Sequence, residues 1–194
     1  MKSKQEIAGL LDIYREQFPD EYESSKLFSD FLLQTAGNNL FHRKNFSGHI
    51  TTSAFIVDVG YTEILLLRHK SLGRWLQPGG HVEADDSLLL SALREAEEET
   101  GIPKMQLLNV SHFSDNETPF DIDSHYIPAN LKKQEDGHYH HDLRYLFVYT
   151  GDGKIDYNEE ESTGLKWVKF TELADDPTFG MVIKKIVAGK SRKA

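Results

Sequence analysis

The chain has 194 residues, no cysteine and a net charge of −9, with 22 Lys and Arg against 31 Asp and Glu. That length suits one domain, or one domain with an appendage, and is enough to bury a core. Zero Cys excludes a disulfide scaffold, a thiolate zinc site, an iron–sulfur cluster and a cysteine nucleophile. The acidic balance argues against a broad nucleic-acid-binding surface. No apolar run approaches the roughly 18 residues of a membrane span. The first 18 residues are charged and amphipathic, unlike a signal peptide. These features predict a cytoplasmic globular protein without a membrane or nucleic-acid partner.

Ile7, Leu10, Leu11, Tyr14 and Phe18 recur at helical spacing, so the first segment is expected to be a helix, punctuated by Pro19 and Asp20. A second helix is expected to place Tyr22, Leu27, Phe28, Phe31 and Leu32 on its apolar side and to stop at Gly37-Asn38-Asn39. Residues 41–49 read as an irregular linker. From Ile50 the period changes. Residues 50–59 are rich in β-branched and aromatic residues, and Gly60 with Tyr61 and Thr62 makes a turn. Residues 64–67 form a short apolar run and predict a buried strand. Residues 72–80 read as a loop holding Trp75, Pro78 and a Gly-Gly pair. Residues 87–100 favour helix and stop at Gly101.

Residues 106–113 read as strand. Residues 114–137 are long, polar and broken by Pro119 and Pro128, which suggests a functional loop with some strand in it. Residues 138–150 are a strong strand, and Gly151-Asp152-Gly153 is a hairpin turn signal. A strand over 165–170 and a helix over 179–187 close the pattern, with a frayed basic end from Lys190. The order β-β-loop-α-β-β-β-α implies an α/β sandwich.

The chemistry concentrates between Gly80 and Ile102. Glu95, Glu98 and Glu99 sit at i, i+3 and i+4 and share one helix face, while Leu89, Ala92, Leu93 and Ala96 mark a neighbouring face that packs inward. Each like-charge pair at this spacing costs roughly 0.2–0.5 kcal/mol when exposed. A hard divalent cation removes that penalty, because carboxylate oxygens are what Mg²⁺ or Mn²⁺ prefer. Taken alone, such a face is more often simply solvated.

The surroundings change that reading. Gly80, Arg94, Glu95, Glu98, Glu99, Gly101 and Ile102 fall in register with the Nudix box, which this segment resembles. Asp86 stands where the family pattern has Glu, and Ala96 where a larger aliphatic is usual. A chance match of this quality has odds on the order of one in 10⁵ at average residue frequencies. The resemblance implies a Nudix-type α/β/α sandwich on a mixed sheet over residues 49–194, with residues 1–48 as an N-terminal helical extension. It implies hydrolysis of a nucleoside diphosphate linked to another moiety, with Mg²⁺ or Mn²⁺ as cofactor. The metal-holding set it implies is Glu95, Glu98, Glu99 and Gly80. Glu98 and Glu95 are also candidates to activate water, with Arg94 orienting the glutamates by charge-assisted hydrogen bonds. The competing reading is a non-hydrolytic nucleotide sensor on a Nudix scaffold.

Other residues carry two readings each. Arg68, Lys70, Arg74 and Arg144 are candidate cations for an acidic substrate, or solvated surface charges. Trp75 stacks on a base or packs under its loop. His81 follows the Gly pair and is a further substrate-contact candidate. His138, His140 and Asp142 alternate on one strand face, as a metal site or as a polar rim, and His125 is open in the same way. Among Glu159, Glu160 and Glu161, a loop glutamate serves as general base in several Nudix members, and Glu161 is the candidate here. Glu83 is a candidate to line the metal site.

Absent cysteines set this chain apart from Nudix isomerases that use a catalytic Cys and from the zinc-ribbon NADH-cleaving type. Sugar nucleotides including ADP-ribose, dinucleoside polyphosphates and nucleoside triphosphates remain, with Pro119 a weak pointer to the ADP-ribose class. The N-terminal helices cap a cleft, form a homodimer interface, or cover one side of the sandwich. In each case the stripe from Ile7 to Phe18 must be buried.

Overall fold

The computed structural model describes residues 2–36, 39–70, 72–83, 87–110, 115–131, 134–152, 155–160 and 162–191. The architecture is mixed α/β. Eight strands join in the neighbour order β3 (Trp75–Leu76), β2 (Glu63–His69), β1 (His49–Val57), β7 (His138–Tyr149) and β5 (Leu107–Asn109), with β4 (Gly79–His81) on β1, β6 (Asp121–Ile127) on β7 and β8 (Ser162–Lys169) on β2. Two compact units are distinguished: Met1–Ser53, Gly79–Ala92 and Phe113–Tyr145 in the first, and Ala54–Pro78, Leu93–His112 and Leu146–Ala194 in the second.

In the first unit, α1 (Lys4–Gln17) opens with a capping box: the Glu6 backbone N–H donates to Ser3 Oγ, and the Ser3 N–H donates to the Glu6 carboxylate at 2.8 Å. The expected stripe is buried at Ile7, Leu10, Leu11 and Tyr14. The Tyr14 hydroxyl donates to the Glu21 carboxylate. Helix α2 (Lys26–Gln34) buries Phe28, Phe31 and Leu32. Tyr22 and Leu27, expected on that apolar side, are exposed. Leu27 is a full 100° step from Phe28 on a helix of 3.6 residues per turn. Tyr22 precedes the helix and lies under the Arg15 guanidinium, 4.2 Å from the ring centroid. The helix ends at Gln34, before the expected stop, whose Gly37 and Asn38 lie outside the described residues.

Strand β1 (His49–Val57) is fully buried, as its β-branched and aromatic run requires. Its first half pairs antiparallel with β4 (Gly79–His81), Thr51 opposite His81 and Ser53 opposite Gly79. The approach at Gly79 is so close that a Cβ there would lie 2.4 Å from Ser53 Cβ and 2.7 Å from the Thr52 carbonyl oxygen. Strand β6 (Asp121–Ile127) lies in the segment expected to be mainly loop and pairs antiparallel with β7 (His138–Tyr149).

In the second unit, β2 (Glu63–His69) follows a turn held by Asp58, whose carboxylate accepts the N–H groups of Gly60, Thr62 and Glu63. Strand β3 (Trp75–Leu76) pairs with β2, so the expected 72–80 loop contains two short strands. Helix α3 (Leu88–Thr100) follows in the chain, its first turn belonging to the first unit. Strand β5 (Leu107–Asn109) pairs with β7. Strand β8 (Ser162–Lys169) pairs with β2, so the Gly151 turn does not fold β7 back onto β8 as a hairpin. Four consecutive residues, Ile64 to Leu67, are buried as expected for a strand covered on both faces. Helix α4 (Gly180–Ser191) ends the described chain, and Phe179 at its start meets Phe55 edge-on at 6.5 Å. No helix among the described residues is long and apolar enough to cross a membrane.

Candidate active site

Helix α3 is built as its composition dictates. Ser87 Oγ accepts the Leu90 N–H at 3.1 Å, an N-cap contact, and the helix stops at Gly101, whose φ of +67° suits glycine. The buried positions are Leu88, Ser91, Ala92, Ala96, Glu99 and Thr100. Leu89 and Leu93, expected on the packed face, are only half-buried. The inward face is therefore rotated toward Glu99, which is 7% exposed.

Arg94 organises the acidic face. Its Nη1 donates to Glu95 Oε1 at 2.9 Å and to Glu98 Oε2 at 3.1 Å. The Arg94 and Glu95 side chains are largely buried, while Glu98 is 55% exposed. A guanidinium shared by two carboxylates offsets their repulsion and fixes their rotamers. Glu97 faces elsewhere and pairs with Lys104 at 3.6 Å. The donor set of Glu95, Glu98 and Glu99 is all carboxylate oxygen, which fits Mg²⁺ or Mn²⁺ and not a softer ion. Arg94 thus bridges one largely buried carboxylate, Glu95, and one exposed carboxylate, Glu98.

The remaining candidates are distributed as follows. Gly80 sits in β4 opposite Thr52. Glu83 is exposed. Arg68 is exposed on β2, directly opposite Trp75 on β3. The Lys166 ammonium lies 4.3 Å from the centroid of the Trp75 ring, a cation–π contact that occupies one of its faces. Trp75, Arg74, Lys166 and Phe179 line an open cleft. Lys70 Nζ donates to the Glu159 carbonyl at 3.2 Å. Asp86 and Glu161 lie outside the described residues.

Arg144 is engaged in a different way. It is almost wholly buried and reaches Asp121 at 3.2 Å, Asp123 at 2.7 Å and Asp142 at 3.1 Å. Asp142 also accepts from Ser53 Oγ at 2.7 Å and Thr51 Oγ1 at 3.2 Å. Burial works to raise the Asp123 carboxyl, but the hydrogen bond with His125 and the charge of Arg144 hold it below its ordinary value. This guanidinium is an anchor among three carboxylates rather than an exposed cation.

His138 and His140 do share a face of β7, but their companion is His49 of β1 rather than Asp142. His81 joins them, its Nε2 3.1 Å from His49 Nε2. Burial, then the neighbouring imidazoles, lower His49 to about 4 and His140 to about 2, so both rings are neutral at pH 7. His49 was missed because the sequence separates it from His138 by almost half of the chain. The signal in the sequence was an imidazole at the head of a strand rich in β-branched residues.

Comparison with known proteins agrees with this architecture. The family model of the NUDIX domain matches residues 48–188, and the chain belongs to that family. The chain is 31% identical over 107 residues to an RNA pyrophosphohydrolase of Zymomonas mobilis subsp. mobilis, a match covering 52% of this chain and 65% of that protein. Among solved structures, an Ap4A hydrolase binary complex of C. elegans aligns with a TM-score of 0.55 at 20% identity, covering 73% of this chain and 97% of that one. The dihydroneopterin triphosphate pyrophosphohydrolase of E. coli aligns with a TM-score of 0.53 at 15% identity, covering 72% and 94%. At these identities the structural matches establish the Nudix fold.

Proposed function

We propose that the chain is a divalent-metal-dependent pyrophosphohydrolase that cleaves a nucleoside diphosphate linked to another moiety. The carrying observation is Arg94 drawing Glu95 and Glu98 into one arrangement on the outer face of α3. Residues 49–194 form the hydrolase domain in this reading, and residues 1–48 are a covering appendage.

A diphosphate is a stable polyanion, so its hydrolysis needs charge neutralisation, an oriented water and a leaving group that departs as phosphate. A Mg²⁺ or Mn²⁺ ion held by Glu95, Glu98 and Glu99 would neutralise phosphate oxygens and acidify a bound water. Glu98, the most exposed of the three, takes the proton as water oxygen bonds to phosphorus. The anhydride P–O bond breaks, and the bridging oxygen leaves with the departing phosphate. Arg94 bridges the largely buried Glu95 and the exposed Glu98 and offsets their repulsion. Arg68 and Trp75, paired across β2 and β3, are the residues offered for the nucleotide.

The test is a product-release assay with ADP-ribose, sugar nucleotides, dinucleoside polyphosphates, nucleoside triphosphates and, after the name of the Zymomonas relative, 5′-triphosphorylated RNA. Each is run with Mg²⁺ and with Mn²⁺. Turnover of one class, lost in Glu98→Gln, is the expected result. Undiminished turnover in Glu98→Gln removes that residue from the mechanism. Ligand binding without turnover would favour a sensing module.

A further inference from the structure

Five histidines of the first unit form a cluster: His49 on β1, His81 on β4, His125 on β6, and His138 and His140 on β7. The alternation of β7 puts His138 and His140 on one face, and register places His125 directly opposite His140. The His49 ring lies 4.9 Å from His138, 4.6 Å from His140 and 5.1 Å from His81, centroid to centroid. One ring nitrogen from each of His49, His138 and His140 lies within 4.8 Å of the other two.

The closest contacts are between nitrogens. His81 Nε2 is 3.1 Å from His49 Nε2, and His138 Nε2 is 3.3 Å from His140 Nε2. Bonds of about 2.0–2.1 Å to a tetrahedral zinc ion place neighbouring ligand nitrogens roughly 3.3 Å apart. The His138–His140 and His49–His81 pairs thus have the spacing of ligands around such an ion, and the three nitrogens of His49, His138 and His140 stay within 4.8 Å of one another.

The outer contacts set the right tautomer. His138 Nδ1 is 2.7 Å from the Asp136 carbonyl oxygen, which can only accept, so the proton sits on Nδ1 and the Nε2 lone pair faces the cluster. His125 repeats the pattern through Asp123 at 2.7 Å, and Asp123 is itself held by Arg144. His49 Nδ1 is buried and makes no hydrogen bond of normal geometry among the described residues, although the Asn45 backbone lies nearby. Imidazoles this close cannot all carry charge, and neutral rings do not hold an anion. Neutral nitrogen donors suit zinc and its neighbours, whereas Mg²⁺ prefers oxygen.

We propose that His49, His138 and His140 bind a divalent transition metal of the zinc type, with His81 beside them as the nearest further imidazole. The site ties together the ends of β1, β4 and β7. Its donor set differs in kind from the carboxylates of α3, so the two sites choose different ions. This inference does not rest on the proposed hydrolase activity.

The test uses untagged, chelator-stripped protein titrated with Co²⁺ and then Zn²⁺, in excess Mg²⁺. Wild type is expected to take up one equivalent of Co²⁺ with the intense visible bands of a low-coordinate nitrogen site, to lose it to Zn²⁺, and to melt at higher temperature with Zn²⁺ bound. His140→Gln and His138→Gln should each weaken uptake by more than the roughly 10–100-fold that loss of an outer partner costs. The Glu95→Gln/Glu98→Gln double variant should bind Co²⁺ as wild type does. The proposal is overturned if wild type takes up neither ion, if uptake survives both histidine variants, or if it is lost with the glutamates. Because wild-type uptake is decisive by itself, a misfolded histidine variant does not shield the idea. Failure of the glutamate variants in turnover alone bears on the hydrolase reading and leaves this one standing.

Discussion

Replacing Arg144 by Met tests whether the guanidinium among Asp121, Asp123 and Asp142 is an anchor of the fold. Met keeps much of the aliphatic volume and removes the charge. The Arg144 and Asp142 side chains are 7% and 6% exposed, so water cannot take over the role of the guanidinium. Removing one partner of such a buried pair costs about 3–5 kcal/mol. Two details moderate this. Asp142 keeps hydrogen bonds from Thr51 and Ser53, and Asp123 keeps His125.

There is also a ceiling. A stranded carboxyl can protonate, and doing so at pH 7 from an ordinary value near 3.9 costs about 4 kcal/mol at 1.36 kcal/mol per pH unit. At pH 5 the same step costs about 1.5 kcal/mol. Arg144→Met should therefore lose about 3–4 kcal/mol at pH 7 and about half that or less at pH 5. Urea unfolding followed by the fluorescence of the two tryptophans measures both values, provided the slope m is unchanged. A loss under about 1 kcal/mol at pH 7, typical of a surface pair, would refute the anchoring role. Equal losses at the two pH values would refute the protonation ceiling.

Four further outcomes are expected. Gly79→Ala should destabilise by about 1–3 kcal/mol, because its Cβ meets the Thr52 carbonyl and Ser53 backbone, which cannot swing aside; a chevron or melt within error of wild type would contradict this. Phe31→Ala should cost about 3–5 kcal/mol, since the ring is buried and stacked 4.3 Å from His141; a surface-like loss in urea unfolding would show that α2 is a dispensable cover. Arg94→Leu should lower kcat more than it raises KM and increase the Mg²⁺ concentration needed for half-maximal rate, as two undirected glutamates repel; steady-state kinetics across a Mg²⁺ series decide it. In metal-free protein, stability should fall as pH drops below 6.5 toward 4, because the unfolded chain protonates His49 and His141 while the native fold holds both near 4. It should fall further below 3.8 as Asp58 and Asp115, held under that value despite burial by backbone N–H groups, lose their native advantage; a flat melting temperature from pH 7 to 4 would contradict the histidine part.

Much of this was legible in local sequence. The α1 stripe, the apolar run at Ile64, the helix stop at Gly101 and the acidic triplet with Arg94 are all patterns within one element, where period and spacing carry the information. What could not be read depends on which strands meet. Nothing near Ser162 shows that β8 pairs with β2, and nothing near His49 shows that β1 delivers it to His138 and His140. The same blindness made Arg144 look like a surface cation. Its three carboxylate partners come from its own strand and from β6, inside a stretch that reads as polar loop. On α3 Glu95 and Glu98 do meet at Arg94, but Glu99 turns to the packed face, because a buried Glu reads as polar in any periodicity count.

Gly48 and His141 have a shared consequence for how this sequence can diverge. Gly48 has φ of +141°, and a Cβ there would lie 2.9 Å from His141 Nε2 and 3.2 Å from the Tyr139 carbonyl. The His141 ring is also stacked on Phe31, 4.3 Å between centroids. Residue 48 is therefore under two constraints at once, one from its own backbone and one from a ring almost a hundred positions later. Shrinking residue 141 would lift only the ring contact and leave the positive φ and the Tyr139 carbonyl, so descendants of this chain should keep glycine at 48 even where position 141 has changed.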